Sequence, residues 1–139
     1  MTFIDSNVLI DVFEFDQTWE EWSRVRIEEQ TATGDATINV VVLAELSPGY
    51  ETLETLINLL DSFSIQIADF SEEAAFHSGR MFARYRRGRE RSSTRRVLPD
   101  FMIGAHALSL GLPLLTRDPD IYRRYFPELT LITPETHNG

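Results

Sequence analysis

Residues 3–10 read FIDSNVLI and place a carboxylate, Asp5, between two apolar segments. Residues 2–4 predict a short buried strand. The apolar residues after Asp5 predict one face of a helix, which Ser6 or Asn7 could cap. A carboxylate so close to buried segments is costly unless something neutralises it. A short strand that ends in such a residue therefore indicates a functional site.

Strand-like and helix-like segments alternate along the rest of the chain. Further predicted strands lie at 37–42, 65–67, 114–116 and 129–133, and predicted helices at 18–33, 43–46, 50–63, 71–88, 99–108 and 119–125. This alternation predicts an α/β fold, a three-layer α/β/α sandwich with a small, mostly parallel sheet. The length of 139 residues fits a single domain over 1–139. In such sheets, ligands bind outside the carboxyl ends of the strands.

Composition restricts the chemistry that a site could use. The chain has no cysteine, which excludes disulfides, thiolate zinc sites and cysteine nucleophiles. Its three histidines are far apart in sequence and form no pair with ligand spacing. Any metal site would therefore be built mainly from oxygen ligands.

The N-terminus and the hydropathy pattern bear on localisation. The first residues lack the basic start of a signal peptide, and Asp5 interrupts them at once. The apolar runs fall well short of the roughly 20 residues that a membrane helix needs. We expect a cytoplasmic protein that does not enter a membrane.

Three further acids resemble Asp5 in their setting, because Glu45, Asp100 and Asp118 each follow an apolar stretch. They are widely spaced in sequence, so only a fold could bring them together. A gathered set of carboxylate oxygens is what a Mg²⁺ or Mn²⁺ site requires. The sequence therefore predicts an oxygen-ligated divalent-cation site.

Four segments carry a family resemblance. Residues 4–11 (IDSNVLID), 43–46 (LAEL), 99–107 (PDFMIGAHA) and 115–118 (LTRD) resemble, in this order, the four motifs of PIN-domain ribonucleases. The resemblance spans residues 3–134. Within that superfamily, the length and order are similar to those of the VapC-type toxins of toxin–antitoxin pairs.

The resemblance implies a role for each acid. The positions that match the acidic metal-binding pocket of the family are Asp5, Glu45, Asp100 and Asp118. We expect Asp5 and Asp100 to be direct ligands of Mg²⁺ or Mn²⁺. Glu45 would be a ligand or would orient the attacking water, and Asp118 would act directly or through bound water.

The resemblance also implies pocket-lining residues, an activity and partners. Asn7 and Thr116 match the polar positions that line the pocket. The implied activity is metal-dependent cleavage of RNA phosphodiesters by an endoribonuclease toxin, which a cognate antitoxin would inhibit. We also expect a homodimer, although no residue pattern fixes the oligomeric state. The RNA target, the number of metal ions and the type of antitoxin stay open.

Each of these acids also has a structural explanation. Asp118 before Pro119 could be the N-cap of a helix. Asp100 could be a first-turn acid favoured by the helix dipole, and Glu45 a solvated helix residue. For Asp120 a first-turn role is favoured over metal ligation. Asp5 is the hardest of the acids to explain structurally.

Other residues near the motifs are assigned structural roles. Asp11 is expected to face solvent, and His106 to be a packed or capping histidine. Core packing is preferred for most of the aromatic residues of the first two helices, namely Phe13, Phe15, Trp19 and Trp22. The resemblance, however, implies a hydrophobic groove for the antitoxin in this region.

Positive charge is concentrated in one segment. Residues 79–97 contain eight arginines and one glutamate, a charge of +7. The whole chain has a charge of −9, so the remaining residues carry −16. The chain has no lysine, so arginine supplies every fully charged phosphate contact. We expect some of these arginines to contact RNA, with Arg84, Arg87 and Arg95 as the candidates. The alternative is a solvated helix face followed by a loop.

Two rival functions fit the sequence less well. A phosphohydrolase of the haloacid-dehalogenase type is disfavoured, because position 7 is Asn rather than Asp and lysine is missing. The missing lysine also weakens a receiver-domain interpretation. The remaining alternative is a catalytically silent PIN-fold module that binds RNA or protein.

Overall fold

The computed structural model describes residues 1–88 and 97–138. Arg95 and most of the predicted loop at 88–94 lie outside the described residues. The elements are β1 (Thr2–Ile4), α1 (Ser6–Phe13), α2 (Glu20–Ala32), β2 (Ala36–Ile38), α3 (Val40–Leu46), a 3-10 turn (Ser47–Gly49), α4 (Leu53–Ser62), β3 (Ile65–Ile67), α5 (Glu72–Arg87), α6 (Leu98–Ser109), β4 (Leu114–Leu115), α7 (Asp120–Tyr125) and β5 (Leu131–Ile132).

The strands form one parallel sheet in the order β3-β2-β1-β4-β5. Strand β1 is central, and its residues Phe3 and Ile4 are fully buried together with Leu114 and Leu115 of β4. Helices cover both faces of such a sheet, which is why its strands are apolar throughout. The predicted three-layer α/β/α sandwich is confirmed.

The β-branched run after β2 was predicted as strand but is helical. Strand β2 ends at Ile38, and the Asn39 side chain caps α3 by accepting from the Val41 and Val42 amides, each at 3.0 Å. An N-cap of this kind satisfies amides that would otherwise lack partners. The cap therefore overrides the weak strand preference of the valines.

Two helix starts also differ from prediction. The residue that caps α1 is Asp5, whose side chain accepts from the Ser6 amide, rather than Ser6 or Asn7. Helix α4 begins at Leu53 after a Thr52 cap, three residues later than expected. Across residues 1–88 and 97–138, we find no helix with the length and apolarity needed to cross a membrane.

Candidate functional site

Asp5 lies at the carboxyl end of the central strand, where the strand order reverses. Chain order runs outward from β1 through β2 to β3, and then returns to β4 on the other side of β1. The pairing of Ile4 with Leu115 brings Asp5 beside Thr116, and the Asp5 amide donates to the Leu115 carbonyl at 2.9 Å. Parallel α/β sheets bind ligands at such switch points.

The Asp5 carboxylate accepts hydrogen bonds on both oxygens. Its Oδ1 accepts from the Ser6 amide at 2.7 Å. Its Oδ2 accepts from Thr116 Oγ1 and Tyr122 Oη, each at 2.9 Å, and from Asn7 Nδ2 at 3.3 Å. Asp5 is only 3% exposed. These donors hold a buried carboxylate in one orientation.

Opposing effects act on the pKa of Asp5. Burial raises this pKa, while hydrogen bonds from Tyr122, Thr116 and Ser6 lower it, and the negative charge of Asp118 raises it further. The net result is a pKa above the usual value. A bound cation would lower this pKa, because it stabilises the charged carboxylate.

Three other aspartates line one cavity with Asp5. The cavity measures about 100 Å³ and is lined by Asp5, Asn7, Asp100, Asp118, Asp120 and Ile121. Asp100 lies in the first turn of α6. Asp118 precedes α7, whose N-cap is Pro119, so Asp118 does not hold the N-cap position considered for it. Asp120 combines the expected first-turn position with a place in the cavity wall.

Glu45 approaches the site from α3 without lining this cavity. Ser6 Oγ donates to Glu45 Oε1 at 2.9 Å. Ser6 is the first residue of α1, which Asp5 caps, so it connects Glu45 to Asp5. Lost hydration raises the pKa of Glu45, the hydrogen bond from Ser6 lowers it, and the charge of Asp5 raises it.

Asn7 and Thr116 join the two strands that carry the site. Asn7 Nδ2 donates to Thr116 Oγ1 at 3.3 Å, and Asn7 Oδ1 accepts from the Arg117 amide at 3.1 Å. Thr116 Oγ1 accepts from the Asp118 amide at 3.1 Å. Asn7 lines the cavity. Thr116 is fully buried and contacts the cavity through its hydrogen bonds to Asp5, Asn7 and the Asp118 amide.

Asp11 does not face solvent as predicted. It is 1% exposed and forms a bidentate ion pair with Arg117, through Nε at 2.8 Å and Nη2 at 2.9 Å. Ser23 Oγ donates to the same carboxylate at 2.8 Å, and the Arg117 guanidinium lies 5.5 Å from the centre of the Trp19 ring. The pair attaches α1 and α2 to the segment that carries Asp118.

The packed position predicted for His106 is confirmed. Its ring is buried, lies 5.5 Å from that of Phe3 and 5.1 Å from that of Phe70, and contacts Asn39 Nδ2 at 3.2 Å through Nδ1. Burial lowers the pKa of His106. A neutral, packed imidazole has a structural role here.

The aromatic residues of the first two helices divide between core and surface. Phe13 and Trp22 are partly buried and pack against the core. Trp19 contacts Trp22 edge-on, with ring centres 6.1 Å apart. Phe15 is 79% exposed and has a positive φ of 53°, so it is not part of the core.

Neither Arg84 nor Arg87 lines the acidic cavity. Arg84 and Arg87 are exposed in the last turn of α5. Arg95 lies outside the described residues.

The donor set suits a hard divalent cation. The cavity is lined by the carboxylates of Asp5, Asp100, Asp118 and Asp120, the ligand type that Mg²⁺ and Mn²⁺ prefer. Over the described ranges, the side chains of Asp, Glu and His form no group of three that is already arranged to hold a metal ion. The residues thus fit the cation in donor chemistry and in shared location.

Fold and site together define a class of protein, a parallel α/β domain with an acidic pocket at its switch point. The family model of the PIN domain matches residues 2–127. The chain therefore belongs to the PIN domain family, as its motifs predicted. No curated protein is significantly similar to it in sequence.

Several solved structures share this fold. One chain in DNA-bound VapBC from Salmonella typhimurium is 25% identical, with a TM-score of 0.68 and coverage of 96% of this chain and 98% of that one. FitAcB from Neisseria gonorrhoeae is 18% identical, with a TM-score of 0.67 and coverage of 99% and 100%. VapBC2 from Rickettsia felis, bound to a promoter DNA fragment, is 21% identical, with a TM-score of 0.62 and coverage of 95% and 97%.

Proposed function

We propose that this PIN-domain protein is a metal-dependent endoribonuclease that acts as the toxin of a toxin–antitoxin pair. The observation that carries the proposal is the convergence of Asp5, Asp100, Asp118 and Asp120 on one cavity at the β1–β4 switch point. Membership of the PIN family and the likeness to VapBC from Salmonella typhimurium support it.

The carboxylates lining the cavity would hold one or two Mg²⁺ or Mn²⁺ ions. Two carboxylates about 4 Å apart repel by about 4 kcal/mol at an effective dielectric constant near 20. When bound, the cation would offset this repulsion, lower the pKa of a water molecule and polarise the scissile phosphate.

The residues of the chain would divide the remaining tasks. Asp5 would present Oδ1 to the cation in a fixed direction, because Thr116, Tyr122 and Asn7 occupy Oδ2 while Oδ1, among the described residues, accepts only from Ser6. Glu45 would orient the attacking water and accept its proton, since a raised pKa makes a carboxylate a better base near neutral pH. The water oxygen would bond to phosphorus while the bond to the leaving ribose oxygen breaks.

RNA cleavage with purified protein tests this proposal. Asp5→Asn and Asp100→Asn should each lower the rate by about 100-fold or more, and a chelator should abolish cleavage. Asp61→Asn, which removes an exposed charge from α4, is the matched control and should cleave as the wild type does. The nuclease proposal is wrong if the wild type cleaves no RNA with Mg²⁺ or Mn²⁺ and calorimetry detects no cation binding.

The partners belong to the same proposal. The toxin would act in the cytoplasm as a homodimer and would be inhibited by an antitoxin encoded by a short neighbouring gene. Growth arrest on expression, relieved by co-expression of that neighbour, is the expected result. Light scattering of the purified toxin tests the dimer, and a complex that co-purifies tests the partner.

One observation favours a second candidate, a catalytically silent module that binds RNA or protein. Among the residues described, the carboxylates do not form a preassembled group of three around one point. Calorimetry with Mn²⁺ separates the two candidates, because a silent module would bind RNA without binding the cation in this cavity.

A further inference from the structure

We infer that a second cavity, at the far end of α7, binds a nucleotide of the RNA that flanks the scissile bond. The inference rests on the proposed nuclease function and adds a substrate subsite to it. The cavity measures about 290 Å³ and is lined chiefly by His77, Met81, Arg84, Arg124, Tyr125 and Phe126. We call it the flanking cavity.

Two exposed arginines give the flanking cavity its charge. Over residues 1–88 and 97–138, neither Arg84 nor Arg124 forms an ion pair, and the one hydrogen bond of Arg84 is a long contact of 3.9 Å to Met81 Sδ. Glu128 also lines the cavity, but the two arginines keep its net charge positive. Guanidinium groups of this kind bind phosphate through two parallel hydrogen bonds.

The half-buried rings of Tyr125 and His77 give the same cavity a surface for a base. Phe126 is buried and supports His77, whose ring lies 5.7 Å from it edge-on. Aromatic side chains beside arginines are the combination that binds single-stranded nucleic acid, because bases stack while phosphates pair. The chemistry thus points to a nucleotide rather than to an isolated anion.

The flanking cavity lies within reach of the acidic cavity along a single short helix. Asp120 lines the acidic cavity, and Arg124, four residues later on the same side of α7, lines the flanking cavity. The helical rise between these two residues is about 6 Å. The two cavities therefore lie along one short helix, close enough for nearby nucleotides of one RNA strand to reach both.

Helix α7 is fixed at both ends of this interval. Tyr122 donates to Asp5 at 2.9 Å. Phe126, just after the helix, packs so closely on Gly104 of α6 that a Cβ there would lie 2.9 Å from its ring. The spacing between the two cavities is therefore a rigid feature of the fold.

Binding of a short, labelled, single-stranded RNA, measured by fluorescence anisotropy in EDTA, tests the inference without requiring cleavage. Arg84→Gln combined with Arg124→Gln should weaken binding by about tenfold or more. The slope of log affinity against log salt should fall in magnitude by about 1.4, or about 0.7 for each lost phosphate contact. Arg123→Gln is the matched control, because this neighbouring arginine is exposed and pairs with Glu135. It should bind RNA within about twofold of the wild type.

Each result decides the inference. Selective loss in the double variant supports the flanking cavity, even if the wild type proves unable to cleave RNA and the nuclease proposal fails. Equal losses in the double variant and in Arg123→Gln would indicate general charge and overturn it, as would a wild type that binds no RNA. The inference is also wrong if the double variant keeps its RNA affinity. Loss of the protein partner in that variant would then assign the cavity to protein binding.

Discussion

Tyr122 Oη donates to Asp5 Oδ2 at 2.9 Å across 117 positions of sequence. Both side chains are buried, and the pKa of Tyr122 is raised well above its usual value by burial and by the charges of Asp5 and Asp100. The phenol is therefore a donor at every physiological pH. This contact ties α7 to the end of the central strand.

Tyr122→Phe should destabilise the protein while leaving its shape intact. The change removes one hydrogen bond to a buried carboxylate, which is worth about 1–3 kcal/mol. Urea unfolding at neutral pH measures the loss, and a double-mutant cycle with Asp5→Asn should show that the two changes are coupled. Tyr125→Phe provides the control on the same helix. Equal losses in the two Tyr→Phe variants would contradict a specific role for the Tyr122–Asp5 bond.

Gly104→Ala should be destabilising because α6 and α7 approach so closely. A Cβ at this position would lie 2.9 Å from the Phe126 ring and 3.1 Å from Tyr122. Overpacking of this kind costs about 1–3 kcal/mol. Gly79→Ala, in the exposed middle of α5 with nothing within 4 Å of its Cβ, should instead stabilise by about 0.5–1 kcal/mol. Thermal unfolding of both variants checks the opposite signs.

Asp5 and Asp118 could be placed near one edge of the sheet from sequence, because they follow β1 and β4. Asp100 lies in the first turn of α6, so its place in the cavity depended on the resemblance to the PIN-domain motifs. The sequence could not show that Asp120 lines the cavity, because its position in the first turn of α7 already explains an acid there. Tyr122 gave no local signal. Its hydroxyl reaches Asp5 only because α7 lies across the end of β1, which no short pattern encodes.

The two main structural errors have physical causes. The strand predicted at 37–42 failed because one side chain, Asn39, caps a helix within a β-branched run. Asn before an apolar segment is a common cap, so that signal was available. Asp11 was assigned to solvent because its partner, Arg117, lies 106 positions away. Long-range ion pairs leave no trace in local composition.

Arg117→Gln should destabilise the fold by about 3 kcal/mol. The change leaves the buried Asp11 carboxylate without its bidentate partner, and an uncompensated buried charge is costly. Arg117→Lys keeps the charge but loses the planar fork, so it should recover only part of the loss. Urea unfolding of both variants is the measurement, with Arg123→Gln as the exposed control. A loss below about 0.5 kcal/mol would show that the pair contributes little.

The raised pKa values of Asp5 and Glu45 predict how stability depends on pH. In the unfolded chain the pKa values of Asp and Glu are about 3.9 and 4.3. In the fold the pKa values of Asp5 and Glu45 are higher. Between the unfolded and the folded pKa of each group, the folded state therefore binds more protons than the unfolded chain. Their contribution to stability is thus most favourable below about pH 4 and is lost as the pH rises through the folded pKa values.

Glu45→Gln isolates one part of this dependence. The amide cannot titrate, so the variant should gain stability relative to the wild type as the pH rises through the folded pKa of Glu45. Urea unfolding in EDTA between pH 4 and 8 measures the difference, and Glu51→Gln, in an exposed loop, corrects for general charge. Adding Mg²⁺ should reduce the relative gain of Glu45→Gln, because a cation favours the charged carboxylate of the wild type. A difference that stays constant with pH would mean that folding does not alter the pKa of Glu45.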